Sequence, residues 1–175
     1  MNNQKIKFID LFCGLGGFRL AIKEMCASNN CVFSCDFDAD AQKSYEANFG
    51  EKPFGDITKI RENEIPEHDI LFAGFPCQAF SICGDQKGFE DTRGTLFFDI
   101  ARILQAKSPK AFVLENVKQL VSHNGGKTLR RILETLENLG YRVYYKIFNA
   151  LDFGLPQKRE RVFIVGFREP HKVKV

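Results

Sequence analysis

Short, wholly apolar runs alternate along this chain with stretches whose apolar residues recur every three or four positions. Lys5 to Phe12 brings Ile6, Phe8, Ile9, Leu11 and Phe12 and reads as a buried strand. Phe18, Ala21, Ile22 and Met25 then follow helical spacing. Cys31 to Cys35 predicts a second strand, and Ala39 to Phe49 a helix with Ala41, Tyr45 and Phe49 on one face. Pro53-Phe54 reads as a short extended piece, and Asp69 to Ala73 as another buried strand. Leu96, Phe97, Ile100, Ala101 and Leu104 give a helix, and Ala111 to Leu114 a strand. Thr128 to Leu139 has helical spacing and stops at Gly140. Tyr141, Val143, Tyr145 and Ile147 alternate like a strand exposed on one side, and Val162 to Phe167 closes the series. Strands near residues 6, 31, 54, 69, 111, 141 and 162, separated by helices, predict an α/β fold. Its sheet is expected to be doubly wound, mostly parallel, seven-stranded and Rossmann-like. The short reach between the last two strands predicts an antiparallel edge pair.

The chemistry collects where strands end. Gly74-Phe75-Pro76-Cys77-Gln78 follows the strand at 69–73, and Pro76 forbids its continuation. Cys77 therefore sits at the carboxyl edge of the sheet, where open α/β sheets hold ligands, at the root of the glycine-containing segment 82–94. A nucleophile under a closing loop fits this placement; so does a small apolar residue that merely ends a strand. Gly14-Leu15-Gly16-Gly17 between strand and helix suggests a mononucleotide-binding βα turn, since glycines let the backbone approach a ligand. It is not G-x-G-x-x-G, which argues against a dinucleotide. Asp36, ending the second strand, occupies the place where such folds hold ribose hydroxyls, and Phe37 is available to stack on a base. Asp38 reads as a helix N-cap, and Asp56 either as an acceptor for an amino group or as a turn aspartate. Glu115 ends an apolar strand, costly unless paired or used, and Arg159 and Arg161 form a basic fork before the final strand.

Composition narrows the class. With 175 residues, 44% hydrophobic and 27% charged, the chain suits one globular domain. No apolar run approaches the length of a membrane span, and the six cysteines show no zinc spacing. No metal, no membrane and a reducing cytoplasm are expected. The net charge of +3 permits a nucleic-acid partner without demanding one. A cysteine hydrolase would need a histidine base, and only His123 approaches a predicted carboxyl edge.

Taken together, Asp10 to Phe18, Gly74 to Ser81, Glu115-Asn116-Val117 and Gln157 to Val162 resemble, in order and spacing, motifs I, IV, VI and VIII of the DNA cytosine-5 methyltransferases. Asp36-Phe37, Gly55-Asp56-Ile57 and Gly94 to Phe98 match motifs II, III and V. The likeness covers nearly the whole chain and is nearest the compact bacterial restriction-modification enzymes. It implies methyl transfer from S-adenosylmethionine to carbon 5 of a cytosine flipped out of duplex DNA, with S-adenosylhomocysteine as product. By this likeness Cys77 attacks C6, Glu115 bonds N3 and the exocyclic amine, Arg161 holds O2, and Arg159 supports the loop or a phosphate. Phe12, Gly14, Leu15, Gly16, Gly17, Asp36, Phe37, Asp56, Ile57, Gly74, Pro76 and Leu96 would line the cofactor site. Gln78, Ser81, Arg93, Asn116 and Gln157 would meet DNA.

There are departures. Close relatives often carry glutamate and tryptophan where Asp36 and Phe37 stand, and a small hydroxyl and a basic residue at Cys83 and Asp85. The family normally continues past motif VIII into a target-recognition domain and motifs IX and X. Residues 1–175 are accordingly expected to be an incomplete catalytic domain, either a fragment or one subunit of a split enzyme whose second polypeptide supplies the rest. A cofactor- and nucleic-acid-binding module without turnover, and a tRNA cytosine-5 methyltransferase, are the competing readings.

Overall fold

The computed structural model describes residues 5–76 and 96–168. Ten elements organise them. Strand β1 (Ile6–Leu11) leads to helix α1 (Gly17–Met25), β2 (Asn29–Cys35) to α2 (Ala39–Phe49), and β3 (Ile70–Gly74) precedes α3 (Leu96–Lys107). Then come β4 (Ala111–Val117), α4 (Lys127–Asn138), β5 (Tyr141–Asn149) and β6 (Glu160–Arg168). Asp38 caps α2 as expected, its carboxylate accepting from the amides of Asp40 and Ala41 at 2.8 and 2.9 Å.

The sheet runs β2-β1-β3-β4-β6-β5, parallel from β2 to β4, with β6 antiparallel to both of its neighbours. Among the described residues it has six strands rather than the expected seven. The piece at Pro53-Phe54 makes one parallel bridge, Phe54 to Cys35, and no ladder. Pro53 has no N–H to offer, and Asp56 turns the chain into a 3-10 turn at Ile57–Lys59. The chain steps outward from β1 to β2 and returns across β1 to β3, so the order reverses between β1 and β3. The carboxyl ends of those two strands flank the crevice where such sheets hold ligands.

The two faces of the sheet are covered unequally. On one face α3 and α4 bury Phe97, Ile100, Ile132 and Leu136 against Ile9, Leu11, Phe112, Leu114, Val162 and Ile164, none more than 1% exposed. On the other, α1 covers β1 and β3 through Phe8, Ile22 and Phe72, with Phe18 stacked on Phe72 at 5.1 Å between centroids. Met25, expected on the same apolar face of α1, is 86% exposed in the helix's last turn. Beyond β3 no described helix lies on that face. Val113 of β4 and Phe163 and Val165 of β6 are only partly buried there, and Phe167 and Tyr144 are 55% and 53% exposed. The interior strands β4 and β6 are thus half-open, where a doubly wound sheet normally buries both sides. On the edge strand β5, Val143 and Ile147 pack on the core as the alternation predicts, while Tyr145 departs from it and is half-exposed.

Close packing limits substitution under the covered face. A Cβ at Gly166 would sit 2.2 Å from the Phe112 ring, whose side chain is wholly buried. Gly166→Ala should therefore cost about 1–3 kcal/mol through forced repacking; urea unfolding with an unchanged midpoint would contradict this.

Candidate functional site

Two groups of residues meet at the carboxyl edge. The first forms an open cleft lined by Phe12, Cys35, Asp36, Phe37, Gly55, Asp56, Ile57 and Leu96. Phe12 adopts φ 55°, a left-handed backbone that a bulky residue takes only where its surroundings enforce it. Gly14 and Gly16 follow at φ 52° and 87°. At Gly16 a Cβ would fall 2.1 Å from the Phe49 ring, so only glycine lets α2 approach the turn this closely.

Asp36 ties the turn to β2. Its Oδ2 accepts from the Gly14 N–H at 2.8 Å and its Oδ1 from the Asp38 N–H at 3.0 Å, and the residue is 9% exposed. A carboxylate has about four acceptor positions, so two remain for a ligand. Asp56 does what the plainer reading foresaw and also lines the cleft. Its Oδ1 accepts from the Thr58 N–H at 3.0 Å and the Thr58 hydroxyl at 2.8 Å. The hydroxyl bond, the largest influence, holds the Asp56 carboxyl below its ordinary range. Phe37 is 67% exposed at the cleft's mouth. Leu15 and Gly17 are exposed beside the turn and do not line the cleft, nor do Gly74 and Pro76.

The second group lies across β3, β4 and β6. The parallel register sets Gly74 opposite Glu115, and the antiparallel one sets Val117 opposite Arg161. The Arg161 Nε lies 2.8 Å from Glu115 Oε1, each side chain 23% exposed. The other oxygen, Oε2, lies 3.5 Å from where a Cβ on Gly74 would be. Glu115 is thus paired, as a charge at the end of an apolar strand must be, yet reachable from solvent. The Arg161 Nη1 donates to the Glu160 carbonyl at 2.9 Å, which aims the guanidinium. Arg159 and Gln157 lie on the exposed approach to β6; the Arg159 amide donates to Asn149 Oδ1 at 3.2 Å.

Asn116, read from the sequence as a DNA contact, is 2% exposed. Its Nδ2 donates to the Phe75 carbonyl at 3.0 Å, and its Oδ1 accepts from the Val117 N–H at 2.8 Å. It holds the backbone at Phe75, directly after β3. Alternation along β4 could have found this, because Asn116 shares the parity of Phe112 and Leu114. Cys77, Gln78, Ser81 and Arg93 lie outside the described residues.

Sequence reasoning passed over other residues. Cys35 and Gly55 line the cleft, and burial pushes the Cys35 thiol up to about 12, which leaves it an inert wall. Arg19 joins α1 to α2, donating to Tyr45 at 3.1 Å and to both Glu51 oxygens at 3.0 and 3.1 Å. Asp10 is wholly buried and has no hydrogen-bond partner among the described residues, and desolvation raises its carboxyl well above the usual range. Among the described residues no group of three or more His, Cys, Asp or Glu could hold a metal, and no helix is long and apolar enough to cross a membrane.

The pairing of Asp36 with the glycine turn makes a testable demand. Asp36→Ala leaves the Gly14 and Asp38 amides without their acceptor and removes any acceptor for a ligand's hydroxyls. Its affinity for S-adenosylhomocysteine should fall on the order of ten-fold or more; an unchanged dissociation constant by calorimetry would remove Asp36 from the site.

Comparison with known proteins gives the family and the fold. Residues 6–175 match the family model described as C-5 cytosine-specific DNA methylase. Over 163 residues the chain is 63% identical to the Type II methyltransferase M.NgoBI of Neisseria gonorrhoeae, covering 93% of this chain and 51% of that protein. It is 60% identical to the Type II methyltransferase M.HhaI of Haemophilus parahaemolyticus, covering 93% and 49%. The chain therefore spans about half the length of the curated relatives it matches. The fold is shared with the S. pombe Dnmt2 methyltransferase, at a TM-score of 0.75 and 22% identity over 93% of this chain and 51% of that one. The chain belongs to the C-5 cytosine-specific DNA methylase family.

Proposed function

We propose that the chain is the catalytic part of a restriction-modification DNA cytosine-5 methyltransferase, acting on a cytosine flipped out of duplex DNA in the bacterial cytoplasm. The observation that carries this reading is the Glu115–Arg161 pair at 2.8 Å, set against Gly74 at the end of β3, three residues before Cys77 in the sequence. A carboxylate and a guanidinium on one side of a strand end suit the edge of a pyrimidine, which offers N3, an exocyclic amine and O2. The names of the relatives, Type II methyltransferases, point the same way.

The chemistry follows from the ring. Carbon 5 of cytosine is a weak nucleophile until a group adds at C6. The Cys77 thiolate forms the bond to C6, and the ring electrons pass to C5, which gains enamine character. Glu115 bonds N3 and the exocyclic amine, and Arg161 holds O2, so charge developing on the ring meets a preset partner. S-adenosylmethionine supplies the methyl group and leaves as S-adenosylhomocysteine. Loss of the C5 proton then expels the thiolate and restores the aromatic ring. Phe12 and Phe37 flank the adenine, Asp36 takes the ribose hydroxyls, Asp56 accepts from the adenine amine, and Ile57 and Leu96 line the cleft from two different elements. Gly14 to Gly17, Gly74 and Pro76 border the remainder of the cofactor. Gln157 and Arg159, with Gln78, Ser81 and Arg93, meet the DNA strand; Arg159 serves a phosphate.

The half-open sheet face favours dependence on a second body. The relatives carry about as much chain again as the part they share with this one. That further half, as a continuation or a separate polypeptide, lays an apolar layer over Val113, Phe163, Val165, Phe167 and Tyr144 and brings the DNA reader.

Labelled-methyl transfer tests the reading. With the second half of a relative supplied in trans, the chain should label duplex DNA and not tRNA, and Cys77→Ala should reduce transfer at least a thousand-fold. Labelling of tRNA alone would move the chain to the tRNA branch, and no labelling of either would favour a binding module. Val165→Lys, on the open face, should block complementation while leaving S-adenosylhomocysteine binding intact.

A further inference from the structure

Arg102 sits in the middle of α3, outside the cleft, and donates in three directions. Its Nε reaches Asp99 Oδ1 at 2.9 Å, on the same helix. Its Nη1 reaches Glu62 Oε1 at 2.7 Å, and its Nη2 reaches the Ile57 carbonyl at 2.8 Å. The helix that bears Arg102 begins at Leu96, which forms one wall of the cleft, and Ile57 forms part of the other. Asp56 caps the very turn whose first carbonyl Arg102 holds. We infer that Arg102 is a positioning residue that sets the separation of these two walls and, through the Ile57–Lys59 turn, aims the Asp56 carboxylate at the adenine edge. The inference rests on the cofactor reading given above and goes beyond it.

The alternative role is a staple that only holds α3 to the chain before β3. Magnitude separates the two. Arg102, Glu62 and Asp99 are 27%, 37% and 19% exposed, and pairs exposed to this degree add little to global stability. The three acceptors nevertheless fix a planar fork in one orientation, which a lysine, with a single nitrogen, cannot reproduce. The bond also holds the Glu62 carboxyl below its ordinary range, so the contact is formed with both groups charged. Lys107, at the other end of α3, provides the comparison: it pairs with Glu67 at 2.9 Å and tethers the same helix away from the cleft.

The test measures binding of S-adenosylhomocysteine and of its inosine counterpart, which carries a 6-oxo group in place of the adenine amine. The unaltered chain should prefer the adenine ligand, because Asp56 accepts from the amine. Arg102→Met should weaken the adenine ligand on the order of ten-fold and the inosine ligand much less, so that the preference shrinks. Arg102→Lys should fall between, Lys107→Met should change neither ligand, and Asp56→Ala should add little in the Arg102→Met background. Glu62→Gln repeats the test with one arm of the fork weakened, should Arg102→Met fail to fold. Equal loss for both ligands, or no loss, in folded variants would overturn the inference and reduce Arg102 to a staple. No binding of either ligand by the unaltered chain would overturn the cofactor reading itself, and the inference with it.

Discussion

The parallel pairing of β3 with β4 is the constraint on which the catalytic edge depends. It puts Gly74 opposite Glu115, and the antiparallel run of β6 beside β4 then brings Arg161 to the same edge. A slip of one residue would send Glu115 into the apolar layer of Phe112 and Leu114, and Asn116 out of it. Asn116 guards against that slip, because its buried amide is satisfied only with the Phe75 carbonyl in reach. One register therefore fixes the carboxylate, the guanidinium and the backbone at Phe75.

The cleft depends on a different device. β1 and β2 end together, and the space beyond them is shaped by backbone that most residues resist, with Phe12, Gly14 and Gly16 all at positive φ. Asp36 holds that shape by accepting from Gly14. Phe49 of α2, against Gly16, and Arg19 of α1, against Tyr45 and Glu51, brace it. The same carboxylate thus serves the architecture of the turn and the proposed contact with ribose. Strain and the proposed ligand contact sit together here, and the surrounding packing maintains the strained backbone.

Much of this was legible in the sequence, for identifiable reasons. Apolar runs bounded by glycine or proline gave the strands, because parallel strands buried on both sides need such runs. Asp38 could be read as a cap because its partners lie two and three residues away. Asp36 and Phe37 follow from the rule that ligands gather at carboxyl edges, Phe12, Asp56, Ile57 and Leu96 from the resemblance to the family, and the cleft gathers all six. The misreadings came from contacts that local pattern does not encode. Pro53-Phe54 has strand-like residues but one bridge. Asn116 was assigned to the DNA by the resemblance to the family, although its parity in β4 points inward. Arg102 had a visible partner three residues away in Asp99, but Glu62 and Ile57 are forty and forty-five residues distant. The open face of β4 and β6 is legible in neither composition nor period, since those two strands read as buried; only β5 alternates like a strand exposed on one side.

The most direct measurement of the central claim uses duplex DNA carrying 5-fluorocytosine, with S-adenosylmethionine and the second half of a relative in trans. Fluorine at C5 cannot leave as a proton does, so the ring stays joined to its nucleophile and the adduct appears as a mass shift mapped to one peptide. The account predicts an adduct on the Cys77 peptide, absent in Cys77→Ala and formed far more slowly in Glu115→Gln. An adduct that persists without Cys77, or that forms as fast without the Glu115 carboxylate, would contradict it.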